Sequence, residues 1–339
     1  VRYLLTLLAA VFVFGLLIAG HELGHFSAAK ASGVKVLEYA IGMGPKLFGF
    51  KSNETEYTLR IFPIGGFCKM LGEDGSSEDP GAFCNQSPWR RLIIIIAGAF
   101  MNFLIAIVLL SIVTFNIGIT KPVIAKLDTN YPAVNAGLKV NDKILYVNDV
   151  KIKSFDDFRS FVSQNKDKEF NVTVERDGKN VTASLKPLYD KSLNEYRIGI
   201  EAKVEKGNFI ESIGYGFKDT FSILKQMIAF LGSLFKGKVS TNDLGGPVAI
   251  IKFSGEAAKL GILSLLSFTA YISINLGIIN LLPFPALDGG WVIILLYEAI
   301  SGRKVDENKI GIVNLVGFSI LIAFAIFITF KDIMRLGTY

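Results

Sequence analysis

Apolar residues form long, nearly unbroken runs at four places in the chain: Leu4–Ala29, Leu92–Ile119, Gly261–Leu282 and Ile310–Phe330. A helix needs about 20 such residues to cross the hydrocarbon of a bilayer, so each run predicts a span. A fifth stretch, Phe209–Phe235, has a different pattern. Its Ile210, Ile213, Phe217, Phe221, Leu224, Ile228, Leu231 and Phe235 recur at helical spacing, while Glu211, Lys218, Asp219, Lys225 and Gln226 lie off that stripe. The pattern predicts an amphipathic helix on the membrane surface rather than a fifth crossing.

The segments between the spans are patterned for β-structure. Val34–Phe50 and Glu56–Met70 alternate or run as short strands punctuated by Gly42, Gly44, Pro45, Gly65 and Gly66, which suggests β-hairpin material. Gly72–Gln86, with Glu73, Asp74, Glu78 and Asp79, reads as a solvated acidic loop. Thr120–Lys206 is the one clearly soluble stretch, with strands expected at Val123–Lys126, Lys143–Val147, Phe170–Arg176 and Asn180–Leu185. Ser154 is a good N-cap for a helix over Ser154–Gln164, and Asp177-Gly178 marks a hairpin turn.

Composition narrows the class. The chain has 339 residues, 51% of them hydrophobic, and a mean hydropathy of +0.44, which excludes an ordinary soluble enzyme. The net charge of +6 fits basic cytosolic loops beside anionic lipid. No dense basic stripe with interleaved aromatics appears, so no nucleic-acid partner is expected. Cys68 and Cys84 form no C-x-x-C pair and read as ordinary thiols of a reducing compartment. Arg2 and the run behind it resemble a signal peptide. Cleavage there would discard the chemistry described next, so a retained signal-anchor is expected.

The chain has only two histidines, and both stand in His21-Glu22-Leu23-Gly24-His25. Positions i and i+4 share one helix face, so both imidazoles can reach one zinc ion, with Glu22 beside them as a general base. Chance would give that spacing less than ~1% of the time, so the motif is a strong signal. Ionisable groups inside an apolar span are costly, which favours a functional site over two satisfied core histidines. Catalytic zinc usually takes three protein ligands, and without a third histidine the last must be Asp, Glu or Cys. Asp288 is best placed, just past the third span, in Asn280-Leu-Leu-Pro283-Phe-Pro285-Ala-Leu-Asp288-Gly289-Gly290. A solvated loop aspartate is the alternative. With four spans, His25 and Asp288 lie near the same membrane face; a fifth crossing at Phe209–Phe235 would separate them. Arg90, Arg91, Arg303, Lys304 and Lys309 flank spans on that face, which points it to the cytosol, although Arg2, Lys331 and Arg335 add positive charge at the termini.

His21-Glu22-x-x-His25 in a first span, with Asn280-x-x-Pro283-x-Pro285-x-Leu287-Asp288-Gly289 after a later one, resembles the site-2 proteases, zinc metalloproteases that cut within membranes. Tyr131-Pro132-Ala133-x-x-Ala136-Gly137-Leu138-Lys139-x-Asn141-Asp142-x-Ile144 resembles a PDZ domain. Together they are similar to the bacterial branch typified by the regulator of sigma-E protease; some relatives carry two PDZ modules in tandem, this chain one.

The resemblance implies Zn²⁺ held by His21, His25 and Asp288, with Glu22 as the base. It implies substrate handling by Asn275 and Asn280, with Pro283 and Pro285 as substrate-contacting positions. It implies a polytopic α-helical membrane protein with four transmembrane helices, a membrane-associated β-hairpin region and one β-rich PDZ-like domain. The expected division is residues 1–119, a first membrane half; 120–206, the PDZ-like domain outside the cytosol; 207–260, an interfacial helix and linker; and 261–339, a second membrane half. Implied partners are the lipid bilayer and single-pass substrates such as trimmed anti-sigma factors or signal-peptide remnants. The implied place is the bacterial cytoplasmic membrane, with the active site toward the cytosol. A non-enzymatic scaffold would not need the full set His21, Glu22, His25 and Asp288, and a zinc transporter would want metal-binding groups at several depths.

Overall fold

The computed structural model describes residues 2–73, 75–190, 195–237 and 245–336, in two compact units: Val1–Val113 with Ile213–Tyr339, and Thr114–Ser212. Among the described residues, four helices are long and apolar enough to cross a membrane. They are α1 (Arg2–Ala31), α2 (Pro88–Ile117), α7 (Ile262–Asn280) and α9 (Glu307–Leu336). Between α1 and α2 run two long paired strands, β1 (Val36–Ser52) and β2 (Thr55–Met70). Positive φ at Gly42, Gly44 and Gly65 lets them double back. Tyr39 therefore sits opposite both Cys68 and Tyr57, and Ile41 opposite both Gly66 and Leu59. Residues 66–70 pair only with β1, so among the described residues no strand covers their other edge, where the Met70 N–H donates to Glu73 Oε2 at 3.1 Å.

Asp74 lies outside the described residues, but the rest of Gly72–Gln86 is not a freely solvated loop. Phe83 is 1% exposed and Cys84 is buried with it. Lys35 donates to Asp79 at 2.5 Å, and the Asn85 amide donates to the Ser77 and Asp79 carbonyls. The apolar Phe83 outweighs the loop's acidic character: it packs in one core with Val34, Val36, Met70, Leu92, Ile94 and Leu295.

The soluble unit builds a sheet in the order β10-β3-β4-β6-β7, with β5 against β4. Its strands are β3 (Ile119–Leu127), β4 (Lys143–Val147), β5 (Val150–Lys151), β6 (Phe170–Arg176), β7 (Lys179–Leu185) and β10 (Ile200–Glu205). Helix α3 (Pro132–Asn135) follows β3, and a separate short pair, β8 (Leu188–Asp190) and β9 (Glu195–Arg197), precedes β10. Helix α4 (Phe155–Asn165) begins with a capping box in which Ser154 and Asp157 satisfy each other's backbone N–H. Asp177 and Gly178 both take positive φ, as the tight β6–β7 turn requires. Ile124, Ile144, Val147, Phe158, Val172 and Val174 fill the core.

Asp142 explains the motif around it. Its carboxylate takes a bidentate pair of hydrogen bonds from Arg176, both 2.7 Å, and a third from the Lys139 N–H at 2.8 Å. Burial alone would raise this carboxyl, but Arg176 and Lys139 more than offset it and hold it below its ordinary value. With the folded value depressed, the carboxylate's contribution is complete above the unfolded aspartate range, about pH 4. It is lost as pH falls through the folded value. Hydrogen exchange over residues 139–144 of the intact chain is expected to lose protection between pH 6 and pH 3 beyond the intrinsic pH dependence. Asp142→Asn should remove that excess.

Helix α5 (Phe209–Phe235) has the range its sequence pattern indicates, but its apolar residues face two ways. Leu224 and Leu231, with Ile223 and Met227, pack on the core of α2 and α7, whereas Ile210, Phe217, Phe221 and Ile228 are exposed. Residues 247–260, read from sequence as linker, form helix α6 (Pro247–Leu260), with proline in the first turn and Gly246 as N-cap. Asp332 on α9 supplies the missing cap: its Oδ2 accepts from Gly246 N at 3.0 Å and Ala249 N at 3.1 Å.

Helix α8 (Asp288–Ser301) carries Asp288 at its start and Glu298 near its end. Arg91 Nη1 donates to Glu298 at 2.8 Å, and both side chains are under 10% exposed. Val305 N also donates to Glu298, and the Arg91 guanidinium stacks on Phe83. Glu298→Leu is expected to cost roughly 3–5 kcal/mol, because it strands a buried guanidinium. The double variant Arg91→Met/Glu298→Leu should recover most of that loss. Thermal unfolding in detergent checks both.

Candidate metal centre

His21 and His25 lie on one face of α1, one turn apart and both under 10% exposed. Asp288 comes from a segment more than 260 residues away in sequence and reaches the same point. His25 Nε2 is 3.1 Å from His21 Nε2, and Asp288 Oδ2 is 3.3 Å from His21 Nε2 and 3.6 Å from His25 Nε2. Asp288 Oδ2 is buried and takes no well-formed hydrogen bond among the described residues. Three atoms that can each act as a metal ligand converge here from two distant segments, an arrangement that suits a cation. For tetrahedral zinc with bonds near 2.05 Å, the ligand–ligand edges are about 3.3 Å. These residues therefore fit a zinc ion: two imidazoles and a carboxylate, the donor set of an open catalytic site.

The local sequence brings Asp288 there. Leu281–Leu287 leaves α7 in tight turns, with Phe284 N bonded to Leu282 O at 2.7 Å and Leu287 N to Phe284 O at 3.2 Å. A Cβ on Gly289 would meet Leu282 O at 2.0 Å, and one on Gly290 would meet Phe284 O at 2.7 Å. Only glycine lets the start of α8 fold back against that loop. Ala286 takes a positive φ of 69°, a strained value for alanine, held by a bond from its N–H to Asn314 Oδ1 on α9 at 3.2 Å. The carboxylate stands at a helix N-terminus, where backbone N–H groups favour negative charge.

A cavity of about 420 Å³ opens onto these groups. Glu22, Gly66 to Met70 of β2, and Ala286 to Asp288 are among its walls. Gly66 lies against Glu22, where a Cβ would stand 3.2 Å from the Cγ methylene of that side chain. The open edge of β2 thus runs past the general-base candidate. Asn280 Nδ2 is 3.4 Å from both ring nitrogens of His21. Asn275 keeps a buried Oδ1 without a partner among the described residues. Pro283 and Pro285 do not line the cavity; Pro285 packs against Gly317 of α9.

Two residues of α2 belong to the centre and were not singled out from sequence. A Cβ on Gly98 would sit 2.3 Å from His25 Nε2 and 2.8 Å from His21 Cε1, so this glycine opens the face of α2 to the imidazoles. Gly24 on α1 answers it, with Ala97 O 2.2 Å from the position of its missing Cβ. Asn102 is fully buried and its Nδ2 stands 3.2 Å from His21 Nδ1. The available signal was a glycine and an amide one turn apart in an otherwise apolar span. His25 Nδ1 is 2.9 Å from the Ile94 carbonyl, which leaves its Nε2 for the centre.

A second cavity, of about 410 Å³, lies in the soluble unit between α4 and the edge strand β10, walled by Phe155, Phe158, Val162, Ile198 and Ile200 among others.

The family model "Peptidase family M50" matches residues 9–324. A Clostridium acetobutylicum protein provisionally named a zinc metalloprotease is 43% identical over 97% of this chain and 97% of its own length. The "Regulator of sigma-W protease RasP" of Bacillus subtilis is 32% identical over 98% of this chain and 99% of its own. Among solved structures, the PDZ domain of an SdrC-like protein from Listeria innocua matches at 24% identity, covering 26% of this chain and 96% of that domain, with a TM-score of 0.22.

Proposed function

The chain belongs to peptidase family M50, the site-2 proteases, and is a zinc metalloprotease; from that premise we propose that it cuts peptide bonds within the transmembrane helices of single-pass membrane proteins. His21, His25 and Asp288 hold the zinc. The observation that carries this is the approach of Asp288 Oδ2 to within 3.6 Å of both Nε2 atoms. Zinc, when bound, supplies Lewis acidity toward the scissile carbonyl and a more acidic water. Glu22, on the cavity wall beside the centre, would serve as the general base for the attacking water and as the acid toward the leaving amine. Asn280, and Asn275 five residues before it on α7, hydrogen-bond the substrate backbone. Pro283 and Pro285 act less directly, by breaking α7 and shaping the loop that presents Asp288.

A helical substrate hides its scissile carbonyl in its own hydrogen bonds and must unwind before it is cut. The open edge of β2 at Gly66–Met70 receives the unwound segment by strand addition, which lays the peptide along the wall that carries Glu22. The soluble unit is a PDZ-like module outside the cytosol, and its groove beside β10 governs admission of substrate. The active site faces the cytosol, as Arg90, Arg303 and Lys309 near the span ends favour. The name of the Bacillus subtilis relative makes trimmed anti-sigma factors one substrate class to try first. The test is cleavage, in detergent or liposomes, of a single-pass substrate with helix-weakening residues and of its leucine-stiffened version. The weakened helix is expected to be cut at least several-fold faster; equal rates contradict the unwinding step.

A further inference from the structure

We infer that Asn102 is a positioning residue whose side-chain oxygen accepts the Nδ1–H of His21, fixing the tautomer that leaves His21 Nε2 bare for the metal. The inference rests on the zinc assignment and adds to it the group that prepares one ligand. An imidazole that ligates through Nε2 must carry its proton on Nδ1, and a buried N–H needs an acceptor. For His25 that acceptor is the Ile94 carbonyl at 2.9 Å. For His21 the nearest group to Nδ1 is the Asn102 amide at 3.2 Å.

The amide stands with Nδ2 toward the ring, and its Oδ1 is buried without a partner among the described residues. Oxygen and nitrogen of a carboxamide have the same shape, so a half-turn about the last side-chain bond exchanges them without disturbing the packing. After that turn Oδ1 faces His21 Nδ1 and accepts its proton, while Nδ2 moves to the place Oδ1 had held. The unturned amide gives the opposite result. It would donate to a bare Nδ1, and the proton would then sit on Nε2, the atom that faces Asp288 and His25.

The residue is held for this task. Asn102 is 0% exposed, and its backbone carbonyl accepts from the Ser273 hydroxyl of α7 at 2.7 Å, tying α2 to α7 beside the site. Gly98, one turn earlier on α2, clears the space over both imidazoles. The Asn280 amide, 3.4 Å from the same Nδ1, is farther and also reaches Nε2, so it is the weaker candidate for the acceptor.

The test is zinc affinity of the purified full chain, read by competition with a chromophoric chelator, for wild type, Asn102→Asp and Asn102→Leu. Aspartate keeps acceptors and removes the donor; leucine keeps the volume and removes both. Asn102→Asp is expected to hold zinc within about threefold of wild type, and Asn102→Leu to bind on the order of 10–100-fold more weakly. If Asn102→Leu does not fold, Asn102→Asp alone decides. A loss of tenfold or more in the aspartate variant means that the amide donates, and overturns the inference. Wild-type affinity in a folded Asn102→Leu overturns it equally. A wild-type chain that binds no zinc is a separate result, one that sinks the metal site itself.

Discussion

Glu22→Gln is expected to abolish measurable cleavage, by a factor on the order of 10²–10⁴, while the zinc content stays at the wild-type level. The two effects separate because Glu22 is not among the converging ligand atoms. Those come from His21, His25 and Asp288, whereas Glu22 stands on the cavity wall between α1 and β2. Glutamine keeps the shape of the side chain that packs on Gly66 and removes only the ability to take and return a proton. Metal analysis and substrate cleavage on one preparation read both quantities. Loss of zinc with activity would make Glu22 a ligand or a structural prop. Undiminished cleavage would place the base elsewhere.

Gly98→Ala is the second large effect, and its cause is steric. The added methyl would stand 2.3 Å from His25 Nε2 and 2.6 Å from His25 Cε1, far inside van der Waals contact. The helix backbone carries that methyl and cannot yield, so the imidazole must leave the position that faces His21 and Asp288. Zinc affinity is expected to fall at least about 100-fold, the upper end of what loss of an outer-shell partner costs, and cleavage with it. Gly15→Ala is the matched control. It adds the same methyl to a span, on α1, where nothing lies within 4 Å. Equilibrium zinc binding by both variants separates contact with the imidazole from a general effect of alanine in a membrane helix. Normal zinc binding by Gly98→Ala would mean that α2 does not pack over the metal face.

Much of this arrangement was legible in the chain because it depends on local periodicity. The i, i+4 spacing of His21 and His25 sets their shared face whatever else the protein does, and the apolar runs mark α1, α2, α7 and α9 to within a few residues. The soluble unit was equally readable where alternation and turn chemistry agree, as at β4, β6 and the Asp177-Gly178 turn. What could not be read depends on packing between distant segments. Gly98 looks like any glycine in a membrane span until α1 is laid across it. Asp142 resembles a motif residue until Arg176 arrives from β6 to pair with it. The cap that Asp332 gives α6 spans more than 80 residues of sequence, and Gly246-Pro247 marks a helix start without showing which side chain caps it. Phe83 was hidden by its acidic neighbours, because a single aromatic residue in a polar loop shows no periodicity.

The most direct measurement is the X-ray absorption spectrum at the zinc edge of the purified chain. Two imidazoles with oxygen ligands, all at about 2.0–2.2 Å, are expected, and Asp288→Asn should weaken or empty the site while leaving the helices intact. Sulfur scattering near 2.3 Å, which would bring in Cys68 or Cys84, or an unchanged spectrum and affinity in Asp288→Asn, would contradict a metal shared between α1 and the start of α8.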